Sequence, residues 1–278
     1  MATVKYRQEA VRTFAASISV AALVVALSGL AVWAGSAGLR QLAVTVAHAC
    51  QRLWAALPPA LQLGLILSVG VGLLAAVLWV STLGRQWWAT HAAACSLEQR
   101  AVPLPSRLRR LLEQHALNGL VTLIHDGRPI ALSIGLTSPR IVLSTALLDL
   151  FEEDELEAVL LHEQSHLRHR DPASLLVTRA LGTAFFFTPV VKALAGRHRA
   201  AVELAADDDA IAAQGHMLSL ASAMIKLLDT NPLVAAGAFT DETDLRLSRL
   251  LDGHVALPDL PQRLKVRSGT ALVLMSLP

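Results

Sequence analysis

The stretch Glu155-Leu-Glu-Ala-Val-Leu-Leu-His-Glu-Gln-Ser-His-Leu-Arg-His-Arg170 decides how this chain is read. Leu156, Val159, Leu160 and Leu167 recur at helical spacing, which predicts a helix. Asp154 with Glu157 is a candidate capping box at its start. Asp171-Pro172 supplies a stop, because the residue before a proline is pushed out of the α region. His162 and His166 are four apart on that helix, so they share a face with Cβ atoms about 5–6 Å apart. Two imidazoles placed this way can reach one zinc ion. Glu163 lies beside the metal but too close to His162 in sequence to be a convenient third ligand. It is left to polarise a metal-bound water, the chemistry of peptide-bond hydrolysis.

A third ligand is expected downstream. Glu203 and Asp207 lie in Glu203-Leu-Ala-Ala-Asp207, again four apart on a predicted helix. One of the two can bind zinc while the other hydrogen-bonds a ligand imidazole. The remaining histidines lack paired spacing, and surface or packing roles suit them better. His198, Arg197 and Arg199 lie near Glu203 in sequence and are candidates to stabilise an oxyanion, because the one tyrosine, Tyr6, lies far along the chain.

Apolar residues make up 54% of the chain and charged residues 17%, with a mean hydropathy of +0.49. Soluble domains carry about 25% charge, so membrane segments are expected. Residues 14–34 and 61–83 contain no charge and reach the length of about 20 residues that crosses a bilayer. Trp33, Trp79, Trp87 and Trp88 stand at or near the ends of these runs, where an aromatic belt would place them. The first run is longer than the core of a secretory signal, which favours an uncleaved anchor. Lys5, Arg7 and Arg12 precede the first run, and Arg85, Arg100, Arg107, Arg109 and Arg110 follow the second, whereas the connecting loop holds only Arg40 and Arg52. The positive-inside rule then puts the N-terminus and the histidine-bearing domain in the cytoplasm of a multi-pass protein. No basic patch is interleaved with aromatics, so no direct nucleic-acid partner is expected. Cys50 and Cys95 fall on opposite sides of the bilayer in this topology and should not pair.

The expected organisation is a transmembrane hairpin over residues 1–95, a compact helix-rich domain over 96–255 with a small β-sheet, and a tail over 256–278. Pro103-Leu-Pro105 marks the linker, and a basic helix follows over 106–115. Strand candidates are 121–124, 130–134 and 141–143, with Asp126-Gly127 as a turn between the first two. Ser144-Thr145 can cap a helix carrying Leu147, Leu148 and Leu150. An edge strand would offer an extended substrate its unpaired backbone groups. Residues 175–194 look like a third span. If His166 and Glu203 share one metal, a single crossing between them is impossible. A helical hairpin over about 173–195, bent near Phe187-Thr-Pro189 and associated with the membrane, resolves this. The apolar end 271–275 is too short to span.

Taken together, Pro139-Arg-Ile-Val-Leu-Ser144, Leu156 to His166, Arg170-Asp-Pro172, Phe186-Phe-Thr-Pro-Val190 and Arg199 to Asp207 resemble the BlaR/MecR-type membrane metallopeptidases. The likeness to the HtpX and CAAX-prenyl-protease type is more distant. The BlaR/MecR resemblance implies a mostly α membrane protein with a gluzincin-type zinc protease domain. It implies Zn2+ held by His162, His166 and Glu203, Glu163 as catalytic base and Asp207 behind a ligand histidine. It further implies a membrane endopeptidase that signals through cleavage of a winged-helix transcriptional repressor. No large extracellular penicillin-binding domain like that of the antibiotic sensors is expected in these residues, so sensing of β-lactams is not expected. Alternatives are an HtpX-like quality-control protease and a non-catalytic zinc-containing coupling module. Membrane lipid, a protein substrate and a second copy in a homo-oligomer are the partners to be considered.

Overall fold

The computed structural model describes residues 2–35, 54–136, 138–230 and 241–252, with Leu257 and Arg263. It is mostly helical with one small sheet. The chain divides into two units. One comprises residues 1–13, 84–177 and 196–258, the other 14–83, 178–195 and 259–278. Cys50 and the apolar end 271–275 lie outside the described residues.

The second unit is built on apolar helix. Helix α1 (Ala2–Gly35) and helix α2 (Pro59–Glu98) each contain a stretch long and apolar enough to cross a membrane, with mean hydropathies of 2.0 and 2.5. Val25, Leu63, Leu73, Val77 and Val80 on these helices are each more than half exposed. Water would oppose such exposure at about 25 cal/mol per Å2 of apolar surface, whereas lipid would not.

The first unit holds the histidine helix at its centre. After helix α3 (Ser106–Gln114) come β1 (Val121–Ile124), β2 (Ala131–Ile134), β3 (Arg140–Ser144) and the short helix α4 (Thr145–Leu150). The sheet order is β1-β3-β2. Strand β1 runs parallel to β3 with Val121 opposite Ile141, and β2 runs antiparallel to β3 with Ser133 opposite Ile141. The Asp126-Gly127 turn therefore does not close a hairpin: the chain passes β3's position and returns to it from β2. Asp126 holds that loop by accepting from the Arg128 backbone N–H at 2.9 Å. The Ser144 hydroxyl donates to the Arg128 carbonyl at 2.7 Å and also accepts from Leu147 N–H as the cap of α4.

Helix α5 (Glu153–His169) is capped by Glu152 and Glu155, two residues earlier than Asp154 and Glu157 would place it. Glu155 accepts from the Glu152 N–H and also from Lys226 and Ser222, so the cap is tied to the later helix α8 (Leu218–Thr230). One face of α5, with Leu156, Val159 and Leu160, joins the sheet and α3 in the main core. The other, with Ala158 and Leu161, packs on Ala210, Leu220, Met224 and Leu250. Arg170 ends α5 in the left-handed region (φ 55°), which turns the chain directly into helix α6 (Asp171–Ala184). After a turn at residues 185–188, helix α7 begins at Pro189 and runs to Gln214. A last helix, α9, spans Asp241–Asp252.

Gly135 closes β2 with φ +96°, and a Cβ there would stand 2.5 Å from the Ser138 carbonyl oxygen. Gly135→Ala should therefore cost about 1–3 kcal/mol and loosen β2 from β3. Denaturant unfolding checks the stability. Hydrogen exchange at residues 131–134 checks the loosening, and unchanged protection there would contradict it.

Candidate metal centre

Helix α5 gives the centre its two imidazoles and α7 its carboxylates. The ligand-capable atoms of His162, His166 and Glu203 all lie within 4.8 Å of one another. The His162 and His166 Nε2 atoms are 3.1 Å apart. Glu203 Oε2 is 3.5 Å from the first, and Oε1 is 3.9 Å from the second. A tetrahedral ion with bonds of about 2.0–2.1 Å sets its donor atoms about 3.3 Å apart, so this donor set fits a divalent metal with small shifts of Glu203.

What aims the imidazoles is on their far side. His162 Nδ1 lies 2.8 Å from Asp207 Oδ1, an ion-pair distance although the ring N–H is poorly aligned for a hydrogen bond. His166 Nδ1 is hydrogen-bonded to Asp171 Oδ2 at 2.9 Å. The sequence offers Asp171 only as a helix stop. The left-handed turn at Arg170 instead makes it the first residue of α6 and swings its carboxylate under His166. Such contacts fix which ring nitrogen faces the metal and make it a better donor.

Arg246, from α9, is the second residue that the sequence leaves unassigned. Its Nε and Nη2 grip the two Asp207 oxygens at 2.8 and 2.7 Å, and its Nη1 reaches Glu203 Oε2 at 3.1 Å. It thus holds the expected ligand and the carboxylate behind His162 with one guanidinium. One helical turn on, Arg249 pairs with Asp208 at 2.7 Å, fastening α9 to α7 a second time.

The electrostatics follow from burial and these contacts. Burial opposes charge on His162, Glu203, Asp207 and Arg246, yet opposite charges prevail. Burial alone would raise Asp207, but Arg246 and His162 hold it down to about 2. Glu203 is kept well below the usual carboxylate range by Arg246 and His162 in spite of its desolvation. Burial and the nearby Arg246 cation would lower His162, but Asp207 and Glu203 raise it to about 9.

A cavity of about 390 Å3 opens on the centre and is lined by Ser133, Glu163, His166, Glu203 and Arg246 among others. Ser133, on edge strand β2, donates from its hydroxyl to Glu163 Oε2 at 2.6 Å. Glu163 is thereby held at the cavity wall beside the two histidines. His198, Arg197 and Arg199 are not among the described residues lining this cavity. His198 is interior, with Nδ1 2.9 Å from the Ala10 carbonyl and Nε2 3.1 Å from Ser174 Oγ, and Arg197 pairs with Glu9. His198 and Arg197 are therefore committed to contacts away from this cavity.

A proton on His162 must leave before that imidazole can bind a metal. With its pKa raised to about 9, the proton is retained below that pH, so apparent zinc affinity should fall as pH falls. The predicted weakening is several-fold between pH 8.5 and 7.5, where an ordinary imidazole of pKa about 6.5 would give almost none. Chelator-buffered zinc titrations decide this, and a flat profile over that interval would refute the coupling.

The family model of BlaR1 peptidase M56 matches residues 63–248, about two thirds of the chain and all of the residues just described except Glu9, Ala10 and Arg249. No curated protein is similar enough to this chain to count as a match. With two apolar helices, the second largely within the matched region, and a metal-capable cluster inside it, the chain belongs to the BlaR1 peptidase M56 family of membrane-associated metallopeptidases.

Proposed function

We propose that this chain is a zinc metalloendopeptidase of the gluzincin type, with His162, His166 and Glu203 as metal ligands, Glu163 as general base and Asp207 orienting His162. The observation that carries this reading is the convergence of the two Nε2 atoms and the Glu203 carboxylate on one point, with Glu163 at the adjoining cavity wall. Two imidazoles and a carboxylate suit zinc and leave a fourth position for the reaction, unlike a closed structural site. A bound zinc ion supplies Lewis acidity, which polarises a carbonyl and makes water nucleophilic at neutral pH.

The protein's own groups do the rest. Strand β2, at the sheet edge and lining the cavity through Ala131, Leu132 and Ser133, is the rail for an extended peptide, whose backbone would pair with its free edge. Ser133 keeps the Glu163 carboxylate turned to the site. Glu163 takes a proton from the attacking water as the new C–O bond forms. It then passes that proton to the leaving amine as the C–N bond breaks. Arg246 keeps the Glu203 and Asp207 carboxylates in place throughout.

Placement of lysine and arginine on either side of the apolar runs supports a multi-pass protein whose peptidase unit faces the cytoplasm. Membership of the BlaR1 family supports signalling by cleavage of a cytoplasmic transcriptional repressor as the physiological role.

Glu163→Gln keeps shape and removes the base. Peptide cleavage should fall by at least 100-fold while zinc binding stays within a few-fold of the parent protein. Digestion of a pooled peptide library, read by mass spectrometry beside metal analysis, gives both numbers. Cleavage unchanged in this variant would remove Glu163 from the mechanism.

A further inference from the structure

The two histidines of the centre are held by similar relays. His162 is backed by Asp207, and Asp207 is gripped by Arg246. His166 is backed by Asp171, and Asp171 is gripped in turn by an arginine from the opposite end of the chain. Arg7 Nη1 lies 2.9 Å from Asp171 Oδ1 and 3.1 Å from Oδ2. Its Nη2 donates to Ser165 Oγ at 2.9 Å, and Ser165 donates onward to Asp209 Oδ2 at 2.6 Å. We infer that Arg7 is a positioning residue of the metal centre, acting through Asp171 on the ring of His166. The inference deepens the metallopeptidase reading and rests on His166 being a ligand.

The contact is not an incidental surface pair. The Asp171 side chain is 5% exposed and that of Arg7 19%. The turns of α1 around Arg7 are seated on α7, the helix that carries Glu203 and Asp207. Tyr6 packs on Leu204 and Ala205, and Ala10 packs on Ala201 and Val202. Glu9 accepts from Arg197 Nε at 2.9 Å. Arg7 is therefore delivered to Asp171 by a helix that is itself fixed.

The chemistry explains why an arginine is needed. An aspartate that backs a metal-bound imidazole has a free choice of rotamer unless its oxygens are held. A planar guanidinium fixes the carboxylate plane, and a lysine, as a point charge, does not. Held in one plane by Arg7, the Asp171 carboxylate fixes the ring of His166 through its 2.9 Å contact to Nδ1. Read from sequence, Arg7 is one of three flanking cations that orient the first apolar run. In the structure it has a second task inside the enzyme unit. The helix that bears it continues unbroken to Gly35, so one element carries both this grip and the first apolar stretch.

The test uses the full chain in detergent and reads metal binding. Zinc affinity is measured by chelator competition, and the site is reported independently by the visible spectrum of the Co2+-substituted protein. Arg7→Met should weaken zinc by about 10–100-fold and shift the Co2+ bands, with Arg7→Lys intermediate. Glu9→Ala, which removes the neighbouring tether of the same helix turn, should leave both readouts near the parent. Asp171→Asn should weaken zinc similarly, and adding Arg7→Met to it should weaken zinc little further, because both act through one carboxylate. Affinity and spectrum unchanged in both Arg7 variants would overturn the inference while leaving the metallopeptidase reading intact. Equal losses in Glu9→Ala, or additive losses in the double variant, would reduce Arg7 to helix packing. A parent protein that fails to bind zinc would overturn both readings.

Discussion

The centre depends on two imidazoles of one helix being turned so that both Nε2 atoms face the same point. Helical spacing brings His162 and His166 within reach of each other but does not choose their ring orientation. Asp207 and Asp171 choose it, from α7 and α6 respectively, and each is locked by an arginine. Much of the first unit's tertiary structure can be understood as what carries these two carboxylates and two guanidinium groups to the C-terminal half of α5.

That arrangement concentrates charge where water is scarce. Glu155, His162, Glu163, His166, Asp171, Asp207 and Asp208 are all buried. Removing one partner from such a cluster leaves an uncompensated buried charge and typically costs 3–5 kcal/mol, whereas the complete set is close to neutral in its net contribution. The cluster is therefore poor at generating stability and good at specifying one geometry. Stability comes from the apolar core on the sheet side of α5, with Leu108, Leu112, Leu143, Leu147, Leu156 and Leu160 almost fully excluded from solvent.

The parts of the site that lie on one helix were legible in the sequence. His162, Glu163 and His166 announce themselves by period, as do Glu203 and Asp207, because the α-helix converts a spacing of four into adjacency. The strands, the Ser144 cap and the helix break before Pro189 were legible from local propensity. Contacts that depend on how distant segments meet were not. Asp171 reads as a helix stop because its partner appears only once Arg170 turns the chain. Arg7 and Arg246 stand 164 and 39 residues from the aspartates they grip, and nothing in a single sequence pairs them. The strand order was hidden for the same reason: Asp126-Gly127 has turn chemistry, but the pairing is decided by where β3 inserts. The capping box was displaced by two residues because Glu155 has partners on α8 that fix it at that position.

The central claim is that two imidazoles and one carboxylate share a single divalent ion. X-ray absorption at the zinc edge of the purified protein tests it most directly. The account predicts about one zinc per chain, a first shell of nitrogen and oxygen only at about 2.0–2.1 Å, and outer scattering that fits two imidazole rings. One ring would be lost in His166→Ala. A sulfur-containing shell, four imidazole rings, or zinc well below one equivalent after saturation would contradict it.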